Sequence, residues 1–232
     1  MYNPLVVAPV TTYLGIGMYT PAEAAMYARV SSRMMSRWVH GDKIGRAALR
    51  AQIPETDDKT VTFLDFIQTL AIRAIREQKE KVPLQKIREA IELATTMGVP
   101  YPFARQHSTF LWDGEIQLEV AGQLIQASGR RRGQFTMRQI VEVYLKDLTF
   151  DNGGLANQYT ACDSMGVKIL MRPGYKFGEP FLESSGHTAW TLWHACISEG
   201  SIEAAAEAYG VTEEDVRVAY KYIDSIRPAT AA

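Results

Sequence analysis

The chain has 232 residues, of which 47% are hydrophobic, and its 25 Lys plus Arg against 26 Asp plus Glu give a formal net charge of −1. These figures are typical of globular proteins and exclude collagen-like, disulfide-rich and disordered chains. No apolar run approaches the roughly 18 residues that cross a bilayer, and the first 30 residues lack a secretory signal. The two cysteines, Cys162 and Cys196, lack the spacing of a disulfide framework or a zinc site. We therefore expect a cytoplasmic protein with no membrane partner.

Two short helices are predicted near the N-terminus, after an extended arm over residues 1–17. The first opens with the capping box Thr20-Pro-Ala-Glu23, which also places proline at the first helical position. A break near Arg29 and a cap at Ser31 or Ser32 predict the second helix. Two capped helices joined by a tight turn are typical of a helix-turn-helix.

The middle of the chain predicts further helices and a small β-hairpin. Apolar residues recur with a helical period between residues 57 and 97. Two apolar runs then flank Asp113-Gly114, which is a strong hairpin signal. A further helix is predicted from Thr136 to Leu148.

The C-terminal part is predicted to begin at the break Asp151-Asn-Gly-Gly. Residues 167–171 form a strand-like run. Caps at Thr188, Ser201 and Thr212 then predict three helices in a trihelical, homeodomain-like arrangement, again of helix-turn-helix type.

The predicted fold class is therefore mainly α. An N-terminal helix-turn-helix is followed by a helical linker with a small β-hairpin and by a C-terminal trihelical domain. The predicted divisions are an arm at residues 1–17, a DNA-binding domain with its extension at 18–150, and a C-terminal domain at 151–232.

The charge is divided between two segments of opposite sign. Residues 29–50 hold six basic side chains and one acidic one, a net charge of +5. Residues 179–224 hold nine acidic side chains and two basic ones, a net charge of −7. The basic segment can bind DNA phosphates with release of counterions, whereas the acidic segment would repel a polyanion.

The second predicted helix carries most of the candidate DNA-binding residues, and the others follow it in the chain. In a helix-turn-helix this helix enters the major groove, where arginine is the commonest reader of guanine edges. The alternative is that its arginines form only a solvated helix face, but the capped spacing and the local charge favour DNA. The predicted contact residues are Ser31, Ser32, Arg33, Ser36, Arg37, Lys43 and Arg46.

Catalytic and cofactor motifs are absent from the sequence. There is no Walker loop, no G-x-G-x-x-G after a strand and no catalytic serine motif. His187, His194 and Cys196 do not have a recognised metal-ligand spacing. A metal-dependent nuclease would need converging carboxylates, which the pattern does not indicate. We predict a protein that is not an enzyme and holds no cofactor or metal.

Short motifs along most of the chain resemble those of one protein family. The sequence is similar to VapB-type antitoxins with a MerR-like N-terminal helix-turn-helix and a C-terminal domain of unknown function 433. The similarity runs from about residue 15 to 224 and rests on Gly17-Met-Tyr-Thr-Pro-Ala-Glu-Ala-Ala, Arg37-Trp38, Trp112-Asp-Gly, Phe177-Gly-Glu-Pro, Glu199-Gly-Ser and Tyr209-Gly-Val. Arg29 departs from the pattern, because such motifs often carry glycine there.

The resemblance implies an antitoxin of a type II toxin–antitoxin pair. Such a protein binds its operator DNA as an autorepressor and neutralises a PIN-like ribonuclease toxin. Helix-turn-helix proteins commonly read palindromes as homodimers, so we expect a homodimer. The alternative is a stand-alone MerR-like transcription regulator whose C-terminal part senses a ligand or protein.

Overall fold

A computed structural model describes residues 10–41, 47–49, 60–77, 82–106, 109–112, 115–120, 123–126 and 145–227. The described residues fall into two compact units. The N-terminal unit comprises those within Pro9–Lys146 and Phe150–Ala156, and the C-terminal unit those within Asp147–Thr149 and Asn157–Ala232. The domain boundary near Asp151 stays a prediction.

The N-terminal unit contains four helices and two small sheets among its described residues. In chain order the elements are β1 Gly17–Tyr19, α1 Pro21–Tyr27, α2 Ser32–Val39, β2 Val61–Thr62, α3 Phe63–Arg76, α4 Leu84–Thr96, β3 Thr109–Trp112, β4 Glu115–Val120 and β5 Gln123–Gln126. Strands β1 and β2 pair antiparallel, and β3, β4 and β5 form an antiparallel meander.

Helix α3 is the centre of the N-terminal core. Its side chains are buried on nearly every face, including Phe63, Phe66 and Ile72, so it is a core helix rather than an amphipathic surface helix. Its start is held by a buried polar pair: the Thr62 hydroxyl donates to Asp65 Oδ2 over 3.0 Å and accepts from the Asp65 amide over 3.2 Å. The cap thus satisfies one of the backbone amides that a buried helix start would otherwise leave unpaired.

The predicted hairpin is confirmed. Trp112 lies opposite Glu115 in the β3–β4 pair, which leaves a two-residue connection at 113–114, outside the described residues. Strand β5 was not predicted. Its partner β4 places the fully buried Ile116 on the inner side of the sheet.

The C-terminal unit combines a sheet with three helices. Its elements are β6 Leu148–Phe150, β7 Ala156–Ser164, β8 Val167–Met171, β9 Phe181–Leu182, α5 Ala189–Glu199, α6 Ile202–Tyr209 and α7 Glu213–Ile226. The strand order is β6-β7-β8-β9, and β8 pairs antiparallel with both of its neighbours. Helices α5, α6 and α7 pack around Ala195, Ala205, Ala206 and Val216.

The predicted fold class is wrong. The chain is not mainly α, because the C-terminal half contains a four-stranded sheet and is not a trihelical domain. The predicted strand at 167–171 and the caps Thr188, Ser201 and Thr212 are confirmed. Strand β7 escaped prediction because its residues are half-exposed along most of its length and do not alternate between apolar and polar.

The helix predicted from Thr136 to Leu148 is also wrong at its end. Leu145–Asp147 form a short 3₁₀ turn and Leu148 begins β6. Leu148 fits the apolar period of the predicted helix, but it lies in a strand of the sheet instead. Residues 136–144 lie outside the described part of the chain.

A left-handed turn lies between β8 and β9. Lys176, Phe177 and Gly178 have φ of 49°, 53° and 79°, and the side chain of Phe177 is 87% exposed. The residue that precedes this turn is well packed. The ring centroids of Tyr175 and Phe181 lie 4.4 Å apart, and the Tyr175 hydroxyl donates to the Gly186 carbonyl over 3.2 Å.

No helix in the described part of the chain is both long enough and apolar enough to span a membrane.

Candidate nucleic-acid interface

The predicted boundaries of α1 and α2 are confirmed. The Thr20 hydroxyl accepts from the Glu23 amide over 3.2 Å, and the Glu23 carboxylate accepts from the Thr20 amide over 2.8 Å, which completes the capping box. Helix α2 is capped by Ser31, whose hydroxyl accepts from the Met34 amide over 3.2 Å. Pro21 occupies the first turn of α1, where its missing N–H costs nothing.

The turn between α1 and α2 is a Schellman motif with arginine in the usual glycine position. Arg29 has φ of 53°. Its amide donates to the Met26 carbonyl over 3.1 Å, and the Val30 amide donates to the Ala25 carbonyl over 2.9 Å. The position that the sequence marks as a departure is therefore a left-handed one, which arginine adopts at a cost of about 1 kcal/mol.

One face of α2 is fixed in the N-terminal core. Met35, Trp38 and Val39 are at most 4% exposed, so Trp38 is a core residue and not a surface for stacking. Small side chains on α1, Ala24 and Ala25, are fully buried and allow α2 to approach closely. This packing directs the opposite face of α2 away from the core.

The opposite face of α2 carries the predicted contact residues. Ser31, Ser32, Arg33 and Arg37 are exposed and Ser36 is half-buried. Because residues 32, 33, 36 and 37 lie within about 140° of the helix surface at 100° per residue, they form one continuous patch. We call this patch the α2 outer face. Of the other two predicted contact residues, Lys43 and Arg46, the structure gives no description, since both lie outside the described residues.

Helix α3 holds the α1–α2 turn in place. The Arg73 guanidinium donates from Nη1 to the carbonyl of Ala28 over 3.1 Å and from Nε to Glu77 over 2.8 Å. It therefore satisfies a carbonyl at the end of α1 and is itself positioned by a carboxylate. The sequence offered only a weak signal for Arg73, the Arg–Glu pair at i,i+4.

The acidic segment of the C-terminal unit is almost entirely on the surface. Eight of its nine carboxylates are exposed. The exception is Asp215, which is 4% exposed and accepts from Ser184 over 2.7 Å and from the Thr212 amide over 3.3 Å. Backbone and Ser201 hydrogen bonds at the start of α6 lower the pKa of Glu203.

Within the described part of the chain, no three His, Cys, Asp or Glu side chains come together as a metal site would require. His187, His194 and Cys196 are thus not brought together as one ligand set in the described structure.

Comparison with known proteins finds a bacterial relative and a similar solved structure. No protein-family model matches the chain. It is 24% identical over 225 residues to a Mycobacterium tuberculosis protein named "Putative antitoxin VapB45", covering 87% of this chain and 92% of the relative. It also resembles the crystal structure of Rv2018 from Mycobacterium tuberculosis, with a TM-score of 0.62 and 20% identity over 88% of this chain and 97% of that one. The fold is thus one already seen in a solved structure, and the sequence is distantly related to a protein named as a VapB antitoxin.

Proposed function

We propose that this protein is the antitoxin of a type II toxin–antitoxin pair. In this proposal it binds operator DNA as a homodimeric autorepressor and neutralises a PIN-like ribonuclease toxin in the cytoplasm. The distant relationship to a protein named as a VapB antitoxin supports the antitoxin role. The observation that carries DNA binding is the α2 outer face, where Arg33 and Arg37 are exposed on a helix whose other side is fixed in the core.

Helices α1 and α2 form a MerR-like helix-turn-helix in this proposal. Arg33 and Arg37 read base edges in the major groove, and the serines at and after the cap contact phosphates near the helix N-terminus. The contact set includes Ser31, Ser32, Ser36, Lys43 and Arg46. The structural basis is the directed face of α2 and the left-handed turn that sets its angle to α1.

In this proposal the C-terminal unit is a domain of unknown function 433 and binds the toxin. An enzyme that cuts RNA must attract a polyanion, so it presents positive charge. The eight exposed carboxylates of the acidic segment complement such a surface. The proposed protein acts by binding, without catalysis and without a cofactor.

The division of labour is tested with the full chain and the variant Arg37→Ala. We expect the variant to lose about tenfold or more in affinity for a duplex from the region directly upstream of its own reading frame, measured by fluorescence anisotropy. Co-purification with the product of the neighbouring gene should be unchanged.

The matched control is Arg217→Ala, which removes the same charge from α7, where Arg217 lies 3.5 Å from Glu213. It should leave DNA affinity unchanged. Equal loss of DNA binding in both variants, or loss of toxin binding in Arg37→Ala, would contradict the proposal. A DNA-binding protein whose neighbouring gene encodes no PIN-like toxin would favour the stand-alone regulator.

A further inference from the structure

A surface pocket of about 330 Å³ lies where α2 meets the end of α3 and the start of α4. It is lined by Ser31, Arg33, Met34, Arg37, Trp38, Arg76 and Leu84. Arg33 and Arg37 are one helical turn apart on α2, and Arg76 is the last residue of α3. Three arginines therefore line one small pocket.

The charges at this pocket are not balanced by its own lining. None of its lining residues is acidic. Glu77 follows Arg76 in the chain, yet its carboxylate lies 2.8 Å from Arg73 instead. Because arginine stays charged at any physiological pH, Arg33 and Arg76 give this pocket a positive potential that favours an anion.

The rest of the lining indicates what kind of anion fits. Met34 is 41% exposed, and with Trp38 and Leu84 it adds apolar surface beside the guanidinium groups. A phosphate joined to a sugar presents this combination of charge and apolar surface, whereas a bare inorganic anion does not. The uncapped start of α4, where Pro83 gives no side-chain cap, adds partial positive charge at Leu84.

We infer that this pocket holds a phosphodiester of the DNA backbone and that Arg76 is its sequence-independent contact. The inference rests on the proposed DNA binding and extends it from α2 to α3. A phosphate held here fixes the position of α2 along the groove, because Arg33 and Arg37 belong both to the pocket and to the α2 outer face.

The test uses the full chain with Arg76→Gln, since Arg76 is exposed and its replacement leaves the core intact. Anisotropy is measured over a salt series with the upstream duplex and with a shuffled duplex of equal length. We expect the variant to weaken both duplexes by the same factor, about tenfold. The slope of log K against log salt should fall by about one.

Two controls sharpen the result. Arg217→Gln removes one positive charge from the other unit and should change neither the affinity nor the slope. Arg76→Lys keeps the charge and should keep the slope. If Arg217→Gln behaves as Arg76→Gln does, the effect is one of net charge and the pocket assignment is wrong.

Other outcomes separate this inference from the proposed function. Unchanged affinity and slope in Arg76→Gln, together with a defect in Arg37→Ala, would overturn the pocket and leave the proposed function standing. A change in the ratio between the two duplexes would mean base reading rather than a phosphate contact. If the wild-type protein binds neither duplex, both ideas fail.

A free nucleotide shares the chemistry of the backbone phosphate and needs its own arm. Thermal shift with deoxythymidine monophosphate distinguishes the two sources. A shift that Arg76→Gln abolishes, with duplex affinity unchanged, would show a nucleotide pocket and overturn the DNA assignment.

Discussion

Arg29 has a backbone conformation that is unfavourable for arginine and favourable for glycine. Its φ of 53° lies in the left-handed region, and the two hydrogen bonds of the Schellman motif depend on that conformation. Because the turn sets the angle between α1 and α2, the strain is located where it affects the α2 outer face.

We predict that Arg29→Val is less stable than Arg29→Asn by about 1 kcal/mol or more. Both variants lose the arginine side chain, so their difference isolates the backbone term: asparagine tolerates the left-handed region, whereas a β-branched side chain does not. Urea unfolding followed by circular dichroism gives the comparison. Equal unfolding midpoints would show that residue 29 is not left-handed in solution.

The sequence predicts the conformation of Arg29 better than it predicts the contacts that hold the α1–α2 turn in place. The position of Arg29 is marked by the glycine expected there, and the burial of Trp38 follows from the helical period. The bond from Arg73 to the Ala28 carbonyl joins residues 45 apart in the chain. No local pattern encodes such a contact, and the same is true of the Arg76 side of the pocket.

Helix α6 has an acidic residue at each end, and the two ends have opposite effects. Glu203 lies in the first turn, where backbone N–H groups favour a carboxylate, and its pKa is lowered. Glu207 lies in the last turn, which contains no basic residue and is the negative end of the helix dipole. Both side chains are exposed, and they differ in the backbone and Ser201 hydrogen bonds that Glu203 accepts and in their places on the helix dipole.

Glu203→Gln should lower the thermal unfolding midpoint at pH 7, and Glu207→Gln should raise it. The two substitutions are chemically identical and lie one turn apart, so each is the control for the other. A shift of the same sign in both would contradict the dipole explanation.

The Glu203 effect should depend on pH. A carboxyl whose pKa is lower in the folded state stabilises the protein above its unfolded pKa, and this stability is lost as the pH falls through the folded pKa. The difference between wild type and Glu203→Gln should therefore disappear in acid. A difference that persists at pH 2 would mean that the ionised carboxylate is not its source.

The elements divide by how local their signals are. The seven helices in the described part of the chain can be predicted from the helical period of their apolar residues. Six of them also begin after a Ser or Thr cap, as at Ser31 or Thr212. Strand β9 has two residues and is held by its pairing with β8, beside which the Glu183 amide donates to the Lys168 carbonyl over 3.0 Å. Those bonds exist only after the chain has folded, so the sheet and hence the fold class could not be predicted.

At the scale of the whole chain, a net charge of −1 combines a basic and an acidic segment. The acidic residues at the ends of α5, α6 and α7, namely Glu199, Glu207 and Asp224, oppose the helix dipoles. These three carboxylates are thus unfavourable for folding, and in the proposed function they contribute to binding the basic toxin.

We predict that the triple variant Glu199→Gln/Glu207→Gln/Asp224→Asn weakens toxin association and leaves DNA affinity unchanged. The variant should unfold no more easily than wild type, so weaker binding would not reflect a damaged fold. Surface plasmon resonance at 50 and 200 mM salt should show a slower association rate, which raised salt also produces in the wild type. A loss of DNA affinity would contradict the separation of the two surfaces.

The Arg73 bonds to Ala28 and Glu77 also have a thermodynamic consequence. Since the α1–α2 turn is already tied to α3, docking the described helices requires little ordering of the backbone. Calorimetry of duplex binding should then give a heat-capacity change that matches the apolar area covered, without the larger value of coupled folding. Without Arg73 the α1–α2 turn would have to become ordered each time the protein binds DNA. The affinity for DNA would then fall although no contact to DNA is lost.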